Sequence, residues 1–574
     1  MPDFKALTAP KLAARSKAIS LAPAASASHA PYLKVSAIEI VRRIGAGEWT
    51  ASQVVEAYIA RAAVAQGATN CATEILFEDA VAEAKALDDE FAKTGKLRGV
   101  LHGVPMSMKD QFDIRGYDSS MGYSKLLNKP AATDSDVTAV LRAAGAIPII
   151  KTNVPQTLFT LECGNPVWGA TNNPYHAFYS SGGSSGGEAA LLAMDGSAFG
   201  VGSDIGGSLR VPTASCGTYS LKPSMQRVSY VGAVDPCPGL DGIISVAGPM
   251  ARTVEDLEVF AKLLLGVPGR SHLVAPIPYR EPKLPERLRF GYYTDYYVKA
   301  SPATKRAVQE TVAALRKQGH ECVEIEIPTP ETALNIYFAL CGGDGYRTLF
   351  AGPGSDPIDD AMKPIASMPR LPMFIRNMIV WAANNVFKDP QLGRLLKANG
   401  EKSVEELFKW TAIRDDYVTK FYAEIWNKHN LDGIIAPMLA TPHIPLGSWA
   451  GVFQIVSATA LYNVVNSPVG VLPVTRIDPA LDALTPEWTS PPKDMPLTTV
   501  YKALYLGGSP LAPAHHAKSP AYNAEKMAGM PVAVQVVGRK WEDEKVLAMM
   551  KVVDGALGPR GFGPGSFSAE TKAA

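Results

Sequence analysis

Segments of helical periodicity alternate with short apolar runs along this 574-residue chain, and the alternation predicts an α/β fold. Two of the runs, Gly433-Ile-Ile-Ala-Pro437 and Pro531-Val-Ala-Val-Gln-Val-Val537, are almost wholly apolar, as strands covered by helices on both faces must be. No internal repeat and no clear linker divides the chain, so one large domain over residues 35–560 is expected. A basic, Ala/Ser-rich arm over 1–34, flexible or lying on the surface, precedes it, and a short tail over 561–574 follows.

The elements follow in order. Residues 35–66 read as helical, with Ser36-Ala-Ile-Glu39 and Thr50-Ala-Ser-Gln53 each placing a capping hydroxyl three residues before an acid or amide. An Ala-rich helix is expected over 79–94. A short buried strand then leads to Lys109, followed by a helix over 136–144 and the strand Ile147-Pro-Ile-Ile-Lys151. Helical periodicity returns at 254–265 and 303–318. The Pro-rich stretch 477–528 reads as a surface loop.

Composition removes several classes of function. The 56 basic and 55 acidic residues nearly cancel, and no dense Lys/Arg block offers a nucleic-acid or anionic-membrane footprint. Six scattered cysteines make no CxxC pair, which argues against a disulfide framework or zinc site and for a reducing, cytoplasmic setting. The nine histidines form no HExxH pattern, and His515-His516 reads as solvated loop. The N-terminus has Lys5, Lys11, Arg15 and Lys17 against one acid, Asp3, without the apolar core of a secretory signal. No metal and no cofactor are expected.

Between Tyr179 and Pro212 the character changes: nine of thirty-four residues are Gly and seven are Ser. Three readings compete. Gly-rich turns ahead of helices can cradle phosphate, but the P-loop lysine is missing. Gly182-Gly-Ser184-Ser-Gly186 matches the G-x-S-x-G elbow of α/β-hydrolases, yet none of the six downstream histidines sits in a recognisable catalytic context. A plain structural turn is the third. What separates the segment from a plain turn is its company: Lys109 after an apolar strand, Ser184 in GGSSGG and Ser208 in DIGGSLRVP, with gaps of 75 and 24 residues.

This constellation resembles the amidase signature family. The likeness continues through Leu221-Lys-Pro223, Gly248-Pro-Met-Ala-Arg252 and Pro531-Val-Ala-Val-Gln535, spanning about residues 40–555. Val154-Pro-Gln-Thr-Leu158 and Asn172-Asn-Pro174 are similar to the branch holding fatty acid amide hydrolases and fungal acetamidases. Ala189 departs from the pattern, where Gly commonly follows the acid at 188. The resemblance implies a mixed central β-sheet wrapped by helices and hydrolysis of linear carboxamides, with carbamates and esters as further substrates. It implies Ser208 as nucleophile through an acyl-enzyme, Ser184 as proton shuttle on a cis peptide, and Lys109 as base. Ile205, Gly206, Gly207 and Ser208 are implied as the oxyanion hole, and Leu158, Phe159 and Ser184 as substrate contacts. Asp204 and Arg210 are read as bracing that loop.

The run 371–388, set on a helix, puts Arg376, Asn377, Asn384, Asn385 and Lys388 on one half and Ile375, Met378, Ile379, Ala382 and Val386 on the other. Phe374 and Trp381 fall among the polar residues. The segment loosely resembles the membrane-docking region of fatty acid amide hydrolase, which implies peripheral membrane association; packing on the core or in a homodimer is the alternative. Two rival functions stand beside the amidase reading: the amidase subunit of a tRNA-dependent amidotransferase, and a nucleotide-binding protein.

Overall fold

The computed structural model describes residues 4–368, 371–491, 497–508, 518–561 and 563–565. Thirteen strands are present among them: β1 (Ala72–Ile75), β2 (Pro105–Lys109), β3 (Ile147–Thr152), β4 (Gly164–Asn165), β5 (Gly169–Ala170), β6 (Phe199–Asp204), β7 (Tyr219–Lys222), β8 (Val246–Ala251), β9 (Arg289–Tyr292), β10 (Glu321–Glu324), β11 (Gly433–Pro437), β12 (Val469–Arg476) and β13 (Pro531–Val537). Eleven make one mixed sheet, in the order β1-β3-β2-β6-β8-β7-β12-β13-β11-β9-β10, and β4 pairs with β5 alone. Helices flank the sheet in one large α/β domain. Its central strands β2, β3, β6, β8, β11 and β13 are buried along their whole length, which explains their apolar composition.

The arrangement of β2 and β6 places the site. They are parallel neighbours, with Met106 opposite Phe199 and Met108 opposite Val201. Their C-terminal ends therefore open at the same edge of the sheet, where α/β proteins characteristically bind ligands. Lys109 ends β2, and β6 runs out through Ser203 and Asp204 into Ile205–Ser208.

The helical stretch 35–66 is two helices, Ala37–Gly45 and Ala51–Thr69. Each begins at the expected cap: Ser36 Oγ accepts from the N–H of Glu39, and Thr50 with Gln53 completes a reciprocal capping box. In the N-terminal arm, residues 4–20 form a helix laid on the domain. Lys11 Nζ reaches Glu74 (2.8 Å) and Asp118 (2.7 Å), Arg15 donates to the carbonyl of Ala72, and Phe4, Leu7 and Leu12 cover Leu127, Val167 and Trp168.

The stretch 477–528 is not a surface loop where it is described. It forms short helices at Pro479–Asp482, Pro486–Thr489 and Thr499–Tyr501, and its aromatic residues Trp488, Tyr501, Tyr505 and Tyr522 are buried. Trp488 Nε1 donates to the carbonyl of Ala300, and the Tyr505 hydroxyl donates to that of Lys299. The Pro-rich composition masked these anchors, whose spacing follows neither helical nor strand periodicity. His515-His516, and most of the tail over 561–574, lie outside the described residues.

Candidate active site

Lys109 is fully buried at the end of β2, and its Nζ lies 2.7 Å from Ser184 Oγ and 2.8 Å from Ser203 Oγ. Burial opposes the ammonium charge and pushes the lysine down to about 7, against the smaller opposing influence of Cys163, Asp204 and Glu188. An ordinary lysine is neutral in only roughly one molecule in 10³ at pH 7; one titrating near 7 is neutral about half the time. Glu188, packed behind the strand, accepts from the hydroxyls of Ser107 and Thr152 (2.7 Å for the latter), and burial raises it to about 7.

Ser184 sits in the turn before the helix Gly186–Ala193, and the Gly183–Ser184 peptide bond is cis. Ser184, Ser203 and Ser208 line one cavity, together with Leu158, Phe159 and Ile205. A second cavity adjoins it and shares Leu158, Phe159, Ile205 and Ser208 as walls. Ser208 thus stands at the junction of two spaces. The second is faced by aromatic and aliphatic groups, among them Tyr337, Phe338, Trp449 and Phe453. Phe159 stacks on Tyr337, with ring centroids 6.1 Å apart and planes 8° from parallel. The buried carboxylate of Glu162 accepts from the N–H groups of Gly447 and Trp449 (2.6 Å each) and so fixes Trp449 in the cavity wall.

The loop carrying Ser208 is held by a buried ion pair. Arg210 meets Asp204 through two bonds of 3.0 Å from Nε and Nη2; Nη2 also donates to Asn463 Oδ1, and Nη1 donates to Thr459 O and Gln535 Oε1. Burial alone would raise Asp204, but the charge and hydrogen bonds of Arg210 hold it well below the usual carboxylate range. Asp204 also accepts from the N–H of Gly207 (2.9 Å) and of Leu209 (3.1 Å). Gly207 has φ +138°, which L side chains rarely adopt, and a Cβ on Gly206 would overlap the Tyr337 hydroxyl. The N–H groups of Ile205, Gly206 and Ser208 make no hydrogen bond among the described residues. The N–H of Gly207 is thus committed to Asp204, which distinguishes it from the other three donors read as an oxyanion hole.

The structure brings Ser184, Ser208, Ile205, Gly206, Leu158 and Phe159 to the two joined cavities, with Lys109 behind Ser184 at 2.7 Å and Gly207 outside the cavity walls. Sequence reading missed Ser203, Gln111 and Tyr230, which extend the polar chain from Lys109, and the aromatic wall from 337–338 and 449–453. The aromatic residues come from helices far along the chain, where they look like ordinary core. Ser203 was in plain view beside Asp204, but nothing in its spacing marked it.

The fold and this arrangement define a hydrolase of carbon–nitrogen bonds, and the chain belongs to the amidase family, whose profile (Amidase) matches residues 53–547. It is similar to fatty-acid amide hydrolase 1 of Sus scrofa, at 32% identity over 91% of this chain and 85% of the relative. It is also similar to the acetamidase of Emericella nidulans, at 34% identity over 92% of this chain and 89% of the relative. Among solved structures, a fatty acid amide hydrolase superposes with a TM-score of 0.79 at 26% identity, covering 97% of this chain and 91% of that one.

Replacing Lys109 by Met removes the amine and keeps the bulk. With Lys109 as the base that the family resemblance implies, amide hydrolysis by the parent should rise with pH through about 7, since only the neutral amine can take up a proton. In the variant the rate should fall by roughly 10²–10⁴ and that rising limb should vanish. A limb that persists in Lys109→Met would assign it to another group, Glu188 first.

Proposed function

We propose that the chain hydrolyses linear carboxamides through an acyl-enzyme on Ser208, with Ser184 and Lys109 completing a Ser-Ser-Lys triad. The observation that carries this reading is a buried lysine, pushed to about 7, 2.7 Å from a serine that shares a cavity with Ser208. In acylation, Ser208 Oγ bonds to the carbonyl carbon as its proton passes to Ser184 and the Ser184 proton passes to neutral Lys109. The carbon–nitrogen bond then breaks as the lysinium returns a proton through Ser184 to the leaving nitrogen. Water repeats the sequence on the ester. The free N–H groups of Ile205, Gly206 and Ser208 supply donors for the developing oxyanion. The same steps act on carbamates and esters, whose carbonyl presents the same electrophile.

The apolar cavity beside Ser208 favours a hydrophobic acyl group, as does similarity to a fatty-acid amide hydrolase. The segment read as amphipathic supports docking at a membrane, though through a different face. In the helix Met373–Asn385 the exposed apolar residues are Met373, Phe374, Met378 and Trp381, while Ile375 and Ile379 are half-buried and Arg376 turns inward to the carbonyl of Asn399. The two aromatic residues that spoiled the sequence pattern are therefore the ones that face outward. Arg370, which precedes the helix, lies outside the described residues. Among the described residues no helix is long and apolar enough to cross a membrane, so contact would be peripheral.

Ser208→Ala should abolish turnover, by a factor on the order of 10⁶, and a fluorophosphonate should label Ser208 in the parent. Label on Ser184 or Ser185 would reassign the nucleophile. For the membrane, liposome flotation of the parent against Phe374→Glu/Trp381→Glu, with oleamide and acetamide hydrolysis measured alongside, separates the occupants. The parent should float and cleave oleamide, and the double variant should stay unbound. A parent that does not float, cleaves only acetamide, or sediments as a dimer that the double variant splits would overturn the membrane reading.

A further inference from the structure

Lys109 meets a second hydroxyl that the mechanism above does not use. Ser203 Oγ lies 2.8 Å from Nζ and 2.6 Å from Gln111 Oε1. The far end of the Gln111 amide settles which way it points. Its Nε2 lies 3.3 Å from the carbonyl oxygen of Val234, which can only accept, and 2.6 Å from the Tyr230 hydroxyl. The N–H of Val234 in turn donates to the backbone carbonyl of Gln111 (2.8 Å), so the two segments are clasped together. The amide oxygen therefore faces Ser203. An amide oxygen cannot donate, so Ser203 commits its single proton to Gln111 and offers only lone pairs to Lys109. Gln111 and Lys109 are fully buried, which keeps bulk water from the Gln111 amide and the Lys109 amine, and Ser203 is buried between them at the cavity wall.

We propose that Gln111 is a positioning residue: by holding Ser203 as an acceptor, it turns the lone pair of neutral Lys109 toward Ser184 and sets the direction in which the proton moves. The inference rests on the Ser184–Lys109 relay proposed above. A neutral amine has two N–H groups and one lone pair. With one N–H directed to Ser203, Nζ can present the lone pair at Ser184, 2.7 Å away. Without the Gln111 oxygen, the Ser203 hydroxyl is released to rotate and donate into that same lone pair. Ser184 then meets only N–H groups and cannot pass its proton on. The lysinium formed after transfer donates to Ser203 and Ser184 alike, so the arrangement serves both stages of the cycle. Neither Gln111 nor Ser203 reacts with substrate; both act through Lys109.

The test compares kcat, KM and the pH dependence of the rate in the parent, Gln111→Leu, Gln111→Glu, Ser203→Ala and Lys109→Met. The titratable groups that bear on Lys109, namely Cys163, Asp204 and Glu188, are the same in all of them. Gln111→Leu should lower kcat about 10- to 100-fold while KM changes by less than about twofold, because a misdirected base slows proton transfer without touching the substrate pocket. Gln111→Glu keeps an acceptor for Ser203 but places a carboxylate near the lysine, so the rising limb should move to higher pH. Ser203→Ala should reproduce the loss in kcat, and it carries the test alone if Gln111→Leu does not fold. A residue that merely supports the fold would lower the melting temperature without moving the limb or splitting kcat from KM. Parental kcat and an unmoved limb in both Gln111→Leu and Ser203→Ala would overturn the inference while leaving the triad intact. A limb retained in Lys109→Met would instead remove the relay, and this inference with it.

Discussion

Water is excluded from the end of β2, and the behaviour of the site follows from that exclusion. The amine of Lys109 has no solvent to stabilise its charge, and its close polar partners are two neutral hydroxyls, those of Ser184 and Ser203. Carboxylates lie in the neighbourhood, but each is attenuated. Asp204 is engaged by Arg210, and Glu188 is itself pushed to about 7 by burial. Moving a lysine from its ordinary value to about 7 corresponds to roughly 5 kcal/mol of preference against the charge, a sum comparable to the whole stability of many domains. The extended apolar packing around the sheet supplies that stability elsewhere, which lets the site keep a buried lysine that titrates near 7.

A second buried charge solves the opposite problem. Asp204 is held well below the usual carboxylate range because Arg210 pairs with it, while Thr459, Asn463 and Gln535 take up the remaining hydrogen bonds of the pair. A buried pair adds little net stability. Here it ties the turn after β6 to β13 and to the helix Ser457–Val464, elements more than 240 residues further along the chain. The loop carrying Ser208 is thereby fixed to the sheet at both of its ends, and the N–H of Gly207 is drawn back to Asp204 while the N–H groups of Ile205, Gly206 and Ser208 make no hydrogen bond among the described residues.

Much of this was legible in the sequence, for reasons that can be stated. Capping signals at Ser36 and Thr50 are local, and the apolar strands β11 and β13 betray themselves by composition alone. Lys109, Ser184 and Ser208 were visible because their motifs are short and dense. The rest depended on three-dimensional partners. Phe374 and Trp381 looked like flaws in an amphipathic helix because they fall among polar residues on the wheel; in the fold that half is mostly exposed and carries them outward, while Ile375 and Ile379 turn partly toward the domain. Trp488, Tyr505 and Tyr522 hid in a Pro-rich stretch whose anchors obey no period. Ser203 and Gln111 gained significance only when β2 and β6 were seen side by side.

The account depends above all on Lys109 being neutral near physiological pH, and that charge state can be measured directly. In protein carrying ¹³Cε-labelled lysine, the Lys109 resonance can be assigned by its loss in Lys109→Met; the assignment matters because buried Lys222 is also pushed to about 7. The account predicts a titration midpoint for Lys109 close to 7 in the folded enzyme. A midpoint near the ordinary lysine value of about 10.4 would mean that the amine is charged when the enzyme works, and would contradict its role as the base.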